Sequence, residues 1–189
     1  MAKESAFVEV ALNAAHQVLK PPLSVRRAAS LLYEVVVDNN LEIRIDPRKP
    51  MRGDSAFQTD LCVFEDKSET VAIPRVVIEF KTRITTHDVL TYSAKARKHK
   101  QIYPYLRYGI AISEESNVPR RFFVHNEALD FVTALSGVEE SELSTFFGRL
   151  ISAEVEASKC LEAIAFGNLK TNLYRKDVQV AKNGDKNAI

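Results

Sequence analysis

The chain has 189 residues, 46% of them hydrophobic and 27% charged, a balance that suits one globular domain with a substantial core. It excludes disordered, collagen-like and rod-like architectures. Lys and Arg number 26 against 25 Asp and Glu, so overall charge selects no partner, and two distant cysteines with four scattered histidines exclude a disulfide scaffold or a finger-type zinc module.

In chain order, Phe7, Val8, Ala11, Leu12, Ala15, Val18 and Leu19 trace a helical stripe over 3–19 that stops at Pro21-Pro22. Glu4 and Glu9 interrupt it where an export signal needs an apolar stretch, and no later run is apolar for long enough to cross a bilayer. A cytoplasmic protein without membrane contact is therefore expected. Ser24 is placed to cap a second helix over 25–38, with Ala28, Leu31, Leu32 and Val35 inward. After an Asn39-Asn40 turn, Leu41, Ile43 and Ile45 alternate with charges, the period of a half-buried strand. A charged, proline-containing loop over 46–55 leads to a strand at 57–65 and a turn at Asp66-Lys67-Ser68. The β-branched run at 73–81 predicts a strand buried at its centre. Thr85 or Thr86 can cap a helix over 87–105; strands follow at 108–113 and 121–124, then helices at 126–136 and 139–166. The polar residues 171–189 are expected to be a loose tail. This order predicts an α/β domain over 1–170, built on a mixed sheet of about five strands with helices on both sides. The stripe Leu143, Phe146, Phe147, Leu150, Ile151, Leu161 and Ile164 is rich enough to serve both core and subunit interface.

Charge is unevenly spread. Between Arg75 and Tyr108, eight basic residues stand against Glu79 and Asp88, a net +6; between Asn126 and Glu162, eight acids stand against Arg149 and Lys159, a net −6. A molecule polarised in this way can turn one face to a polyanion, and solvated helix faces are the plainer alternative. The glycines form no phosphate-cradling GxxxxGK[ST] or GxGxxG pattern, so ATP chemistry is not indicated. GxSxG and HExxH are likewise missing from the sequence.

One constellation remains. Asp60 lies in a strand, and eighteen residues intervene before Glu79-Phe80-Lys81 closes the next. Residues i and i+2 of a strand share a face, so Glu79 and Lys81 project together and Phe80 opposes them. Cys62 shares Asp60's side and reads as a small core residue. If the two strands pair as a hairpin, two carboxylates and an ammonium converge. Hard oxygen donors with open positions suit Mg²⁺, with Mn²⁺ able to substitute. The lysine can orient a water or stabilise charge growing on a phosphate. Basic residues cluster nearby: Lys95, Arg97, Lys98, His99 and Lys100 on the following helix, and Arg44, Arg48, Lys49 and Arg52 before Asp60. Arg83 is placed to hold a neighbouring phosphate. His16, His87 and His125 lack partners at ligand spacing and read as structural or surface residues.

Asp60, the eighteen-residue spacing and VVIEFKT around Glu79 and Lys81 resemble the core of the PD-(D/E)xK nuclease superfamily, which includes restriction endonucleases and Holliday-junction resolvases. The likeness covers about residues 25–113. The family's acid usually follows a proline, whereas Thr59 precedes Asp60, and Asp54 in the upstream loop is the rival. The resemblance implies a restriction-endonuclease-like fold and DNA cleavage with Mg²⁺. It also implies a glutamine beside the active site in a QxxxY element, here Gln101 and Tyr105, and a supporting acid from an early helix, here Glu34. Branches carrying an iron–sulfur cluster need four cysteines and are excluded. The resulting expectation is a metal-dependent DNA endonuclease of restriction or antiviral defence type, without ATP. Cutting both strands of a duplex would then take a homodimer or a partner subunit. The alternatives are a structure-selective, resolvase-like nuclease, the nuclease subunit of a larger defence complex, or an inert DNA-binding module.

Overall fold

The computed structural model describes residues 2–51, 53, 55–175 and 178–180. Five strands form one mixed sheet in the order β1 (Leu23–Arg27), β4 (Leu61–Ser68), β5 (Val71–Lys81), β6 (Arg107–Ile112) and β7 (Phe131–Ala134), with helices on both faces, in agreement with the α/β expectation. Helix α1 (Ala2–Val18) buries Phe7, Val8, Ala11, Ala14 and Ala15, and the prolines at 21 and 22 prevent its continuation.

The second predicted helix does not form. Residues 25–38 instead hold the end of β1 (Leu23–Arg27), the short β2 (Ser30–Leu32) and an exposed segment beyond it. The helical spacing of Ala28, Leu31, Leu32 and Val35 is coincidental, since Ala28 and Val35 are exposed. Ala28 takes a positive φ of 52° and breaks the chain between the two strands. The branched run Val35-Val36-Val37 also disfavours helix. Pairing of β1 with β4 (Leu61–Ser68) decides the matter, from Leu23 opposite Glu65 to Arg27 opposite Leu61.

β2 pairs with β3 (Ala56–Gln58) as a separate two-stranded ribbon. The strand expected near 41–45 is reduced to a single Val37–Ile43 bridge, around a turn in which Asp38 accepts from the Asn40 and Glu42 amides. The expected strand at 57–65 is broken at Thr59-Asp60, where Thr59 turns back to bond the Ala29 carbonyl. Beyond the break, β4 runs through the expected turn at 66–68 and reverses at Glu69-Thr70 into β5 (Val71–Lys81).

Thr85 caps α2 (Thr86–Ile102) reciprocally with Asp88, and α2 returns the chain to β6 (Arg107–Ile112), parallel to β5. The next two expectations exchange places: 120–125 is helix α3 (Arg120–His125), entered through extended Pro119, and the expected helix at 126–136 contains β7 (Phe131–Ala134). Asn126 accepts from the Ala128 and Leu129 amides, which makes the turn into β7. Gly109 on β6 is required by β7, because a Cβ there would lie 2.2 Å from the Phe131 ring.

α4 (Glu140–Ala165) packs with α1 against one sheet face, where Leu61, Val63, Val76, Ile78 and Phe80 point. Phe7 lies edge-on to Phe80 at 5.4 Å and to Phe147 at 5.6 Å. The other face, with Cys62, Val77, Tyr108, Ile110 and Ile112, is covered by α2 and α3. Leu143, Phe147, Leu150 and Ile151 of the α4 stripe are spent in this core rather than displayed. Of the expected tail, 171–175 and 178–180 are neither helix nor strand, and the rest lies outside the described residues.

Candidate active site

The β4–β5 register pairs Leu61 with Ile78 and Cys62 with Val77. Continued by one residue, it sets Asp60, in the break between β3 and β4, opposite Glu79. Asp60 accepts the Phe80 amide proton through Oδ2 at 2.8 Å, which fixes its carboxylate at the end of β5. Glu79 lies on the α2 face and is 2% exposed. Tyr108 on β6 donates its hydroxyl proton to Glu79 Oε1 at 2.5 Å. Burial, with the charge of Asp60 second, pushes the Glu79 carboxyl up to about 7, while the Tyr108 hydrogen bond and Lys95 pull the other way. Lys81, half-buried at the end of β5, places Nζ 5.6 Å from the centre of the Tyr92 ring. The buried phenol of Tyr92 is raised to about 12 by burial first and by Glu79 second.

α2 lines this site with Tyr92, Lys95 and His99, which fall on one side of the helix. Lys95 Nζ lies 5.0 Å from the Tyr92 ring centre and 5.5 Å from that of Phe57. His99 is fully buried and is not part of a basic surface: its Nδ1 donates to the Leu32 carbonyl at 2.9 Å, and burial pushes its pKa down to about 4. Its ring stacks on Tyr108 at 5.7 Å. Tyr108 and His99 thus support Glu79 from behind. Sequence reading missed Tyr108, whose role depends on the parallel register that pairs it with Val77.

Two expected site residues lie elsewhere. Gln101 is two residues past His99, about 200° around the helix. It lines an open groove of about 290 Å³ with Arg97, Lys100 and Glu127–Asp130, away from the carboxylates. Tyr105 lies beyond the end of α2, buried beneath Arg75, so the QxxxY pair shares no helix face. Glu34 is not on a helix; it is exposed in the segment after β2, without a described hydrogen bond to either carboxylate. Asp54 and Arg52 lie outside the described residues.

The basic and acidic segments largely neutralise one another. Lys100 bonds Asp130 at 2.7 Å and the Ala128 carbonyl at 2.6 Å, and Arg107 bridges Asp130 and Glu154. Arg75, fully buried, grips Glu65 and Glu162. The exposed Arg97 and Arg83 approach Glu127 at 3.4 Å and Glu114 at 3.5 Å. Lys100 is therefore a structural cation rather than a surface one. Lys95 and Lys98 differ, since both lie over aromatic rings and neither forms an ion pair among the described residues.

Asp60 and Glu79 offer a divalent cation two hard oxygen donors, and the raised pKa of Glu79 marks a place where added positive charge is favourable. Among the described residues no group of three or more His, Cys, Asp and Glu side chains could hold a metal. Water, backbone or substrate oxygens would have to complete the shell, which suits Mg²⁺. Against family models and against curated proteins, the sequence has no match. No helix among the described residues is long and apolar enough to cross a membrane.

Proposed function

We propose that this chain is a metal-dependent endonuclease of the PD-(D/E)xK type, hydrolysing phosphodiester bonds in DNA in a restriction or defence role in the cytoplasm. The observation that carries the reading is the convergence of Asp60 and Glu79 beside Lys81 at the end of one buried strand. Mg²⁺, or Mn²⁺ in its place, held by Asp60 and Glu79, would supply Lewis acidity toward a phosphate oxygen. The rest falls to the chain's own groups. Tyr108 holds one Glu79 oxygen and so orients the other. The Phe80 amide fixes Asp60. Lys81, with Tyr92 beside it, presents an ammonium to the negative charge that grows on the phosphoryl and leaving oxygens as water attacks phosphorus and the bond to the leaving oxygen breaks. One chain offers one such site, so cutting both strands of a duplex requires a second copy or a partner subunit.

Labelled plasmid and branched DNA, incubated with the purified protein and Mg²⁺ or EDTA, test the proposal. Cleavage is expected with Mg²⁺ only. Asp60→Ala and Glu79→Ala should abolish it while DNA binding persists, and Lys81→Ala should reduce single-turnover cleavage by about 10²–10³-fold. Full activity in all three variants would overturn the assignment. DNA binding without cleavage by the wild type would leave an inert binding module.

A further inference from the structure

Beside the carboxylates, Phe57 on β3 and Tyr33, the residue that follows β2, are two aromatic rings that the proposed chemistry does not use. Tyr33 and Phe57 are stacked face to face, 4.0 Å between centres and 19° between planes, and both remain partly exposed. Lys98 lies 5.7 Å over Tyr33, and Lys95 reaches both Phe57 and Tyr92. Tyr92 in turn meets Lys81. Ammoniums and aromatic rings therefore form a continuous row, Lys98, the Tyr33–Phe57 stack, Lys95, Tyr92 and Lys81, from the ribbon to the end of β5. Tyr92, Lys95 and Lys98 recur at three-residue intervals along α2, which keeps them along one side of the helix.

The row's chemistry names its ligand. A chain that carries both phosphates and flat bases matches a row that carries both cations and aromatic faces, and stacking on such faces tolerates any base. Bases inside a duplex already stack on one another and cannot supply those faces, so the row discriminates in favour of unpaired nucleotides. Lys95 and Lys98 suit the task because their charge is not cancelled by a carboxylate among the described residues, unlike that of Arg75, Lys100 and Arg107.

Resting on the nuclease reading, we propose that Tyr33, Phe57, Lys95 and Lys98 bind a single-stranded DNA segment and lead it to Asp60 and Glu79. The substrate class is then DNA with an unpaired stretch at the cut rather than uninterrupted duplex.

The test is fluorescence anisotropy in EDTA with a labelled mixed-sequence deoxyoligonucleotide of about 16 nucleotides, alone and as a blunt duplex. The wild type should bind the single strand more tightly. Tyr33→Leu, which keeps apolar packing on Phe57 but removes the aromatic face, should weaken single-strand binding about tenfold and leave duplex binding within error. Lys98→Met, which touches nothing in the core, should lower the salt slope for the single strand by about 0.7. A wild-type preference for duplex, or equal losses on both forms in melting-competent variants, would overturn the proposal. So would an effect of Tyr33→Leu on thermal melting alone, since the stack would then serve only to anchor the ribbon. Cleavage of the same oligonucleotides with Mg²⁺ separates the two readings. Tight single-strand binding without cleavage removes the nuclease and keeps the row, whereas duplex cleavage indifferent to Tyr33→Leu does the reverse.

Discussion

Glu79 sits 2% exposed beside a second carboxylate, and the fold carries the cost of that placement. Its pKa rises from 4.5 in the unfolded chain to about 7. The folded state therefore holds the proton more firmly, and the associated stability is present below about pH 4.5 and lost as pH climbs through 7. His99 has the opposite sign: its pKa falls from 6.5 to about 4, so its contribution is present above pH 6.5 and lost on acidification. The two offset each other in the wild type, and Glu79→Gln isolates the first. In EDTA, that variant should melt with the wild type near pH 4.5 and above it near pH 8, the gain there being on the order of 3 kcal/mol. Tyr108→Phe removes the hydroxyl that favours the ionised form of Glu79. A hydrogen bond to a charged group is worth about 1.5–3 kcal/mol, so the pH–rate profile for cleavage should move upward by about one unit. An unmoved profile would show that Tyr108 does not act through Glu79.

At the scale of the element, α2 has two differently charged sides. One gives Lys100 to Asp130, and the other lays Lys95 and Lys98 over rings. Lys100→Ala should lower the melting temperature and leave the salt dependence of DNA affinity unchanged. The Lys95→Ala and Lys98→Ala pair should flatten that dependence by up to about 1.4 units on single-stranded DNA, and by less on a duplex, without cost in stability. Affinity titrations across a salt series, alongside thermal melts, separate the outcomes. Parts of this were legible in sequence. β5 announces itself because its centre must be apolar on both faces, and strand parity alone puts Glu79 and Lys81 on one side with Phe80 on the other. Asp60 was legible as a residue but not as a break, because the Thr59 bond to Ala29 depends on a distant turn. β1 and β2 were illegible for a related reason. A helical spacing happened to run through them, and only the β4 edge that they meet after folding overrides it. Charge segregation misled as well, since two segments of opposite sign are as well suited to bonding each other as to polarising a surface.

Across the whole molecule, the buried Arg75 ties β5 to β4 through Glu65 and to α4 through Glu162, with its guanidinium 5.3 Å from the Tyr105 ring centre. On Glu65, the Arg75 Nε and Nη2 both donate to one oxygen, Oε2, at 2.9 and 2.6 Å. Glu65→Ala would leave a fully desolvated guanidinium with Glu162 as its remaining carboxylate partner and should cost about 3 kcal/mol, a fall in melting temperature of about 10 °C. Adding Arg75→Met to Glu65→Leu should recover most of the loss, because an apolar pair fills the site and the Glu162 carboxylate, 24% exposed, can turn to water. If the double variant melts no higher than Glu65→Ala, packing rather than charge governs this junction.

Arg27, where the chain leaves the sheet, is paired with Leu61, where it re-enters. Between them the chain makes a detour that departs from and rejoins one point, lending the sheet the Asp60 carboxylate that accepts the Phe80 amide. Leu31 and Leu32 are buried against α2, where the Leu32 carbonyl receives His99, but closing a loop depends only weakly on its length, so the exposed stretch from Glu34 to Val37 can be lengthened or shortened with little penalty to the rest. The residue at its point of return is Asp60. Inherited variation in the detour would therefore retune what reaches the carboxylates while the sheet that holds Glu79 and Lys81 stays unchanged, leaving substrate choice and scaffold free to evolve separately.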